Sequence, residues 1–174
     1  MAGSLIKIDE EIVTSAVASV TLGGTDWDSS YDVYMVKANA VIPSLDSRYI
    51  KARVTEGGTP NTTANYDSAY KELKSYEGFS NRPYTNQDHW RMLTTGTGTG
   101  EQTNFTMYLF NFNSTSEYAF QTLEETLLTS SAGLAGWQGG GVCTITGTAR
   151  DGINFFFDSG NIASGQFVLY GLKK

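Results

Sequence analysis

The chain has one cysteine, Cys143, and one histidine, His89, in 174 residues. One thiol excludes an internal disulfide, and its place in the apolar run VCTITG predicts a buried, unreactive side chain. One histidine excludes a histidine-rich zinc centre and leaves His89 as the sole residue around which a Ser-His-Asp arrangement could form. No Gly-x-Ser-x-Gly elbow accompanies it, so a turn or interface role is expected for His89. Basic residues are scarce as well: 12 Lys and Arg against 18 Asp and Glu give a net charge of -6. The near pairs Lys71 with Lys74 and Lys173 with Lys174 are too few to track a phosphate backbone, so nucleic acid is not an expected ligand. There is no apolar run of membrane-spanning length, and MAGSLIKIDEE has neither the basic start nor the apolar core of a secretory signal. The expectation is a protein folded in a cytoplasm with no membrane partner.

Paired chemistry is missing too. Asp26 and Asp28 flank Trp27, with Asp32 nearby, but the glycine and the further carboxylate of a calcium loop are absent, so the segment reads as a turn. No motif sets two carboxylates across a cleft as glycoside hydrolysis requires. TGTGTGE is not followed by a helix carrying Lys and Ser or Thr, so it is not a phosphate loop. These features predict no catalytic residue, no metal site and no cofactor.

What the chain does have is Gly, Thr, Ser, Asn and aromatic residues, with only 17% charged side chains, the composition of short strands joined by tight turns. In AVASVTLGG, Ala16, Ala18, Val20 and Leu22 share one strand face before Gly23-Gly24. YDVYMVKANAVI is apolar on both faces, as for a covered strand, and Pro43 marks its end. RYIKARVTEGG alternates, with Ile50, Ala52 and Val54 on one side. Residues 57–88 lack alternation and predict a tyrosine-rich surface excursion, in which only SAYKELKSYEG could hold two helical turns. HWRMLTT and NFTMYLFNF, separated by GTGTGEQ, predict a hairpin. YAFQTLEETLLTSS fits a short helix or a strand, and GWQGGGVCTITG reads as a glycine break followed by a Thr-rich strand. At the end of the chain, Ile153, Phe155 and Phe157 share a face, SGNIASG turns, and Phe167 and Leu169 alternate with Val168 and Tyr170. Seven or eight strands with at most one or two short helices predict an all-β fold, an antiparallel β-sandwich of jelly-roll type. Its expected extent is residues 12–174 as a single domain, preceded by an N-terminal arm over residues 1–11.

Tryptophan and tyrosine beside turns supply large contact area at low entropic cost, whether to a protein or to a sugar ring. Trp27, Tyr84, Trp90 and Trp137 are therefore the candidate partner or glycan contacts, with capping of the two open ends of the sandwich as the alternative role for such aromatics. Leu5, Ile6 and Ile8 are the candidate contacts of the arm, since termini are free unless tied down.

Asp151-Gly152-Ile153, then Gly160 to Gly165 as GNIASG, then Leu169-Tyr170-Gly171, form a pattern that resembles the carboxyl-terminal part of virion structural proteins of tailed phages, especially those of marine and cyanobacterial hosts. YDVYMVKANAVIPS and NFTMYLFNF resemble their middle strands. The resemblance covers residues 12–174 and brings no catalytic residue. It implies a virion location, contacts with the major capsid protein or other virion proteins, and a capsid decoration or cement role, with a tail-fibre or baseplate module that binds host-surface carbohydrate as the alternative. A homotrimer is expected, because three-fold capsid positions present repeated surfaces.

Overall fold

Alternation of buried and less buried side chains is clearest over residues 66–72, 103–109 and 119–128, and the strands of the chain build two sheets. The computed structural model describes residues 4–129 and 133–173. Its strands are β1 (Ser4–Val13), β2 (Ser19–Gly23), β3 (Val33–Pro43), β4 (Arg48–Glu56), β5 (Thr59–Pro60), β6 (Tyr66–Lys74) and β7 (Gly78–Gln87). They continue with β8 (Trp90–Thr95), β9 (Thr103–Phe110), β10 (Ala119–Leu128), β11 (Leu134–Cys143), β12 (Gly152–Phe157) and β13 (Ile162–Lys173). One 3-10 turn at Gly24–Asp26 is the only helical element among the described residues.

An eight-stranded sheet has the order β1-β13-β3-β9-β10-β11-β6-β7, and a smaller one the order β2-β12-β4-β5, with β8 also paired to β4. The pairings are antiparallel. The sheets stack face to face, so the fold is an antiparallel β-sandwich. Between them, Phe155 of β12 lies 5.5 Å from Phe105 of β9 and 5.4 Å from Phe167 of β13, ring centre to ring centre. Further along, β8 inserts Trp90 edge-on against Tyr66 of β6. A single hydrophobic core joins these regions. The three phenylalanines near the C-terminus divide as their alternation requires: Phe155 and Phe157 are buried in the core, and Phe156 faces outward, partly covered.

Several expectations need correction. Residues 4–13 are not a free arm: β1 pairs with β13 along its length and closes one edge of the large sheet. Its backbone groups, exposed on an arm, are satisfied by a ladder instead. The excursion at 57–88 is largely strand, with Tyr66, Ser68, Tyr70 and Glu72 pointing inward from β6. Ser68 and Glu72 at core positions hide the period of two from a reading based on hydrophobicity. No helix forms there. The expected hairpin is also absent, since β8 joins β4 in the small sheet whereas β9 lies between β3 and β10 in the large one. The loop GTGTGEQ therefore crosses between the layers. The glycine break is the middle of β11, and the Thr-rich segment after Cys143 is loop. YAFQTLEETLLTSS resolves as β10, a strand of unbroken alternation, while Ser130 and Ser131 of that segment lie outside the described residues.

Candidate interaction surfaces

The four candidate aromatic contacts divide into two groups. Trp90 is fully buried, and its Nε1 donates to the Val142 carbonyl at 3.2 Å. Trp137 is buried, stacked on Tyr70 at 4.9 Å, with its Nε1 directed at Glu72 Oε1. Neither can meet a partner, because both occupy inward-facing positions of strands that the other layer covers. Trp27 and Tyr84 are partly buried. Trp27 stacks on Tyr34 at 3.9 Å and donates to Asn113 Oδ1 at 2.9 Å, so it closes an end of the sandwich. Tyr84 leans on Trp137 and lies under the Arg91 guanidinium. Leu5 and Ile6 are exposed and Ile8 is partly buried, all on the edge strand β1.

The glycines of β11 explain how Trp90 enters the core. A Cβ at Gly141 would stand 2.7 Å from Trp90 Nε1, and one at Gly139 would stand 2.2 Å from the Ala69 carbonyl oxygen. Side chains at these positions would collide with the indole and with the neighbouring backbone.

His89 is buried and its Nδ1 contacts Asp88 Oδ1, while Asp88 also pairs with Arg53. Burial pushes the imidazole below its ordinary pKa, against the pull of Asp88. Burial would raise the Asp88 carboxyl, but hydrogen bonds from His89 and Arg53 hold it below the usual carboxylate range. Among the described residues no nucleophile is hydrogen-bonded to this pair, and its visible effect is to anchor the β7–β8 corner to β4. The Asp28 carboxylate accepts from Ser30 N at 2.9 Å, the turn chemistry expected of it. Among the described residues no three His, Cys, Asp or Glu side chains converge as metal ligands. Cys143 is buried and unpaired.

The surface that sequence reading missed is the outer face of the eight-stranded sheet. Register places Val33, Phe110, Phe120 and Val142 in one cross-strand row. The adjoining row runs Tyr170, Met35, Tyr108, Thr122, Gly140, Ala69, Pro83. Where Phe120 and Val142 border the side-chain-free Gly140, a shallow groove of about 520 Å³ opens, floored by Ala69 and flanked by Pro83 and Thr122. A polar row of Lys37, Thr106, Glu124, Gln138, Lys71 and Asn81 crosses the middle of the face. Beyond it, Leu73, Phe79, Leu134 and Gly136 line a second depression of about 330 Å³. Phe79 is 72% exposed and Phe120 45% exposed. Its apolar side chains stand apart in the sequence, Phe120 and Leu128 in β10 and Leu134 and Val142 in β11 with polar residues or glycine between them, and only non-local strand pairing groups them.

No protein-family model matches the chain, and no curated protein matches it. Among solved structures, an aerolysin-like protein of Bombina maxima is 11% identical over 90% of this chain and 95% of that chain, with a TM-score of 0.15. At that score the likeness bears on neither fold nor function.

Proposed function

We propose that the protein is a structural assembly module that binds other protein surfaces through the outer face of its large sheet. The observation that carries this reading is the pair of apolar depressions, around Phe120 and Phe79, on a sheet face that no other described element covers. Large apolar side chains grouped on an open face mark interaction sites more often than chance exposure does. The carboxyl-terminal pattern from Asp151 to Gly171 extends the proposal to a tailed-phage virion, with a jelly-roll module acting as a capsid decoration or cement protein. Homotrimeric binding to the major capsid protein is part of the same proposal. A tail-fibre or baseplate role in carbohydrate binding has less support, because Trp90 and Trp137 are inside the core and Trp27 is engaged by Tyr34 and Asn113.

Immunogold electron microscopy of purified particles, with antibody raised against the recombinant chain, tests the proposal. Gold over the head is the expected result. Gold confined to the tail would transfer the proposal to the fibre reading, and particles free of label would remove both.

A further inference from the structure

The small sheet presents a different outer face. Tyr49, Lys51 and Arg53 of β4, Phe156 of β12 and Arg91 of β8 project away from the core, opposite to Ile50, Ala52, Phe155 and Trp90. Lys51 and Arg91 are direct cross-strand partners. Like charges at that spacing repel and destabilise a sheet. Here no carboxylate separates them: neither side chain makes an ion pair among the described residues, and Arg91 Nε is buried without a hydrogen-bond partner. Both cations rest instead on aromatic faces. The Arg91 guanidinium lies 3.7 Å from the Tyr49 ring centre, and Lys51 Nζ lies 5.4 Å from Tyr49 and 5.7 Å from Phe156. Arg53 covers Phe156 at 4.4 Å but is matched by Asp88, and Arg48 is matched by Asp158.

With Arg53 matched by Asp88, Lys51 and Arg91 remain as two uncompensated positive charges on one face of a chain whose net charge is -6. A guanidinium stacked on a ring directs its N–H edge sideways, where it can hold both oxygens of a carboxylate. The aromatic bed fixes the two charges in place before any partner arrives, which lowers the ordering cost of binding.

We propose that the Lys51–Arg91 pair is a docking site for the carboxylates of an acidic protein segment. Two charges match one or two carboxylates. They are too few for a nucleic-acid backbone, which the remaining negative charge of the chain would also repel. The site is built on the small sheet, whereas the Phe120 groove is built on the large one, and it does not rest on the assignment to a virion.

The test is an NMR titration of the full-length, nitrogen-15-labelled chain with a capped peptide of alternating Glu and Ser, its Gln-for-Glu counterpart, and a short oligothymidylate. Saturable amide shifts confined to residues 49–53, 90–92 and 156, seen with the Glu peptide alone and fading with salt, are expected. Lys51→Gln should weaken that binding by roughly tenfold while leaving the melting temperature unchanged or higher, since it relieves a repulsion. The proposal is overturned by the absence of saturable shifts at this site, by equal shifts with the Gln peptide, by tighter binding of the oligonucleotide, or by Lys51→Gln binding as the parent does.

Discussion

The two halves of the interior are filled by different chemistry. Where β12 covers β13 and β9, the space between the layers holds Phe105, Phe155 and Phe167 with Val36, Ala38 and Leu169 around them, all buried. Where β8 covers β10, β11 and β6, the inward side chains include Gln121, Glu125, Ser68 and Glu72 beside Tyr70 and Trp137. The first half is held by removal of apolar surface from water; the second adds buried hydrogen bonds, such as Gln121 Nε2 to Tyr70 Oη, although Gln121 Oε1 has no partner among the described residues. The two carboxylates of the second half show how differently such groups can be satisfied. Glu72 receives Ser80 Oγ at 2.7 Å and pairs with Arg82. Although burial works to raise its pKa, those partners hold it below the ordinary value. Glu125 accepts only from Leu93 N at 2.8 Å and Thr103 Oγ1 at 2.7 Å, and burial pushes its pKa up to about 7. A charge without a countercharge is expensive in the interior; a charge with one is tolerated.

The largest expected effect falls in the phenylalanine half. Phe155→Ala removes the ring that touches both Phe105 and Phe167 and should cost about 3–5 kcal/mol in urea unfolding. A loss below about 1 kcal/mol would show that the site collapses easily and that the two halves are not as unlike as their composition suggests.

The pH dependence of stability separates the two carboxylates. Glu125 keeps its proton in the folded chain to about pH 7, whereas an unfolded glutamate loses it near its ordinary pKa of 4.5. Stability should therefore fall as pH rises from 4.5 to 7, by about 3 kcal/mol at the limit, and level off above. In Glu125→Gln that fall should vanish, because an amide can accept from Leu93 N and donate to the Thr103 hydroxyl. Glu72 acts in the opposite direction: its contribution is present above pH 4.5 and is lost as acid titrates it in the folded state. Thermal melts from pH 3 to 9 on the parent, Glu125→Gln and Glu72→Gln distinguish the two. A parallel curve for Glu125→Gln and the parent would mean that the buried carboxyl titrates as it does in the unfolded chain, its pKa unshifted by burial.

The smallest effect on stability belongs to the outer face. Phe120→Ser changes a side chain that no layer covers, so unfolding should shift by no more than about 0.5 kcal/mol. Association with a partner, read by co-sedimentation with particles, should nevertheless decline. A stability loss comparable to Phe155→Ala would show that Phe120 belongs to the core and not to an interface.

Much of the strand content was legible because alternation is a local property. Ile50, Ala52 and Val54 in β4, and Ile153, Phe155 and Phe157 in β12, announced their buried faces, and the structure buries all six. β6 was not legible, since its inward face spends two positions on Ser68 and Glu72, whose partners come from distant strands or from across the β7 turn. Trp90 and Trp137 were read as surface aromatics from the glycine and turn residues around them. Glycine at 139 and 141 does not break β11; it makes room for Tyr70 and Trp90. The Phe120 groove and the Lys51–Arg91 pair had no signature, because each is assembled from strands far apart in the chain.

Composition and period of two were enough to establish an all-β chain with buried faces on its strands, since a strand sends successive side chains to opposite sides whatever its neighbours are. Which strands became neighbours, which tryptophans went inside, and which charges and aromatic rings came to share an open face depended on pairing across both sheets. Those choices are settled by the free energy of packing whole layers together, and no window of sequence contains that energy.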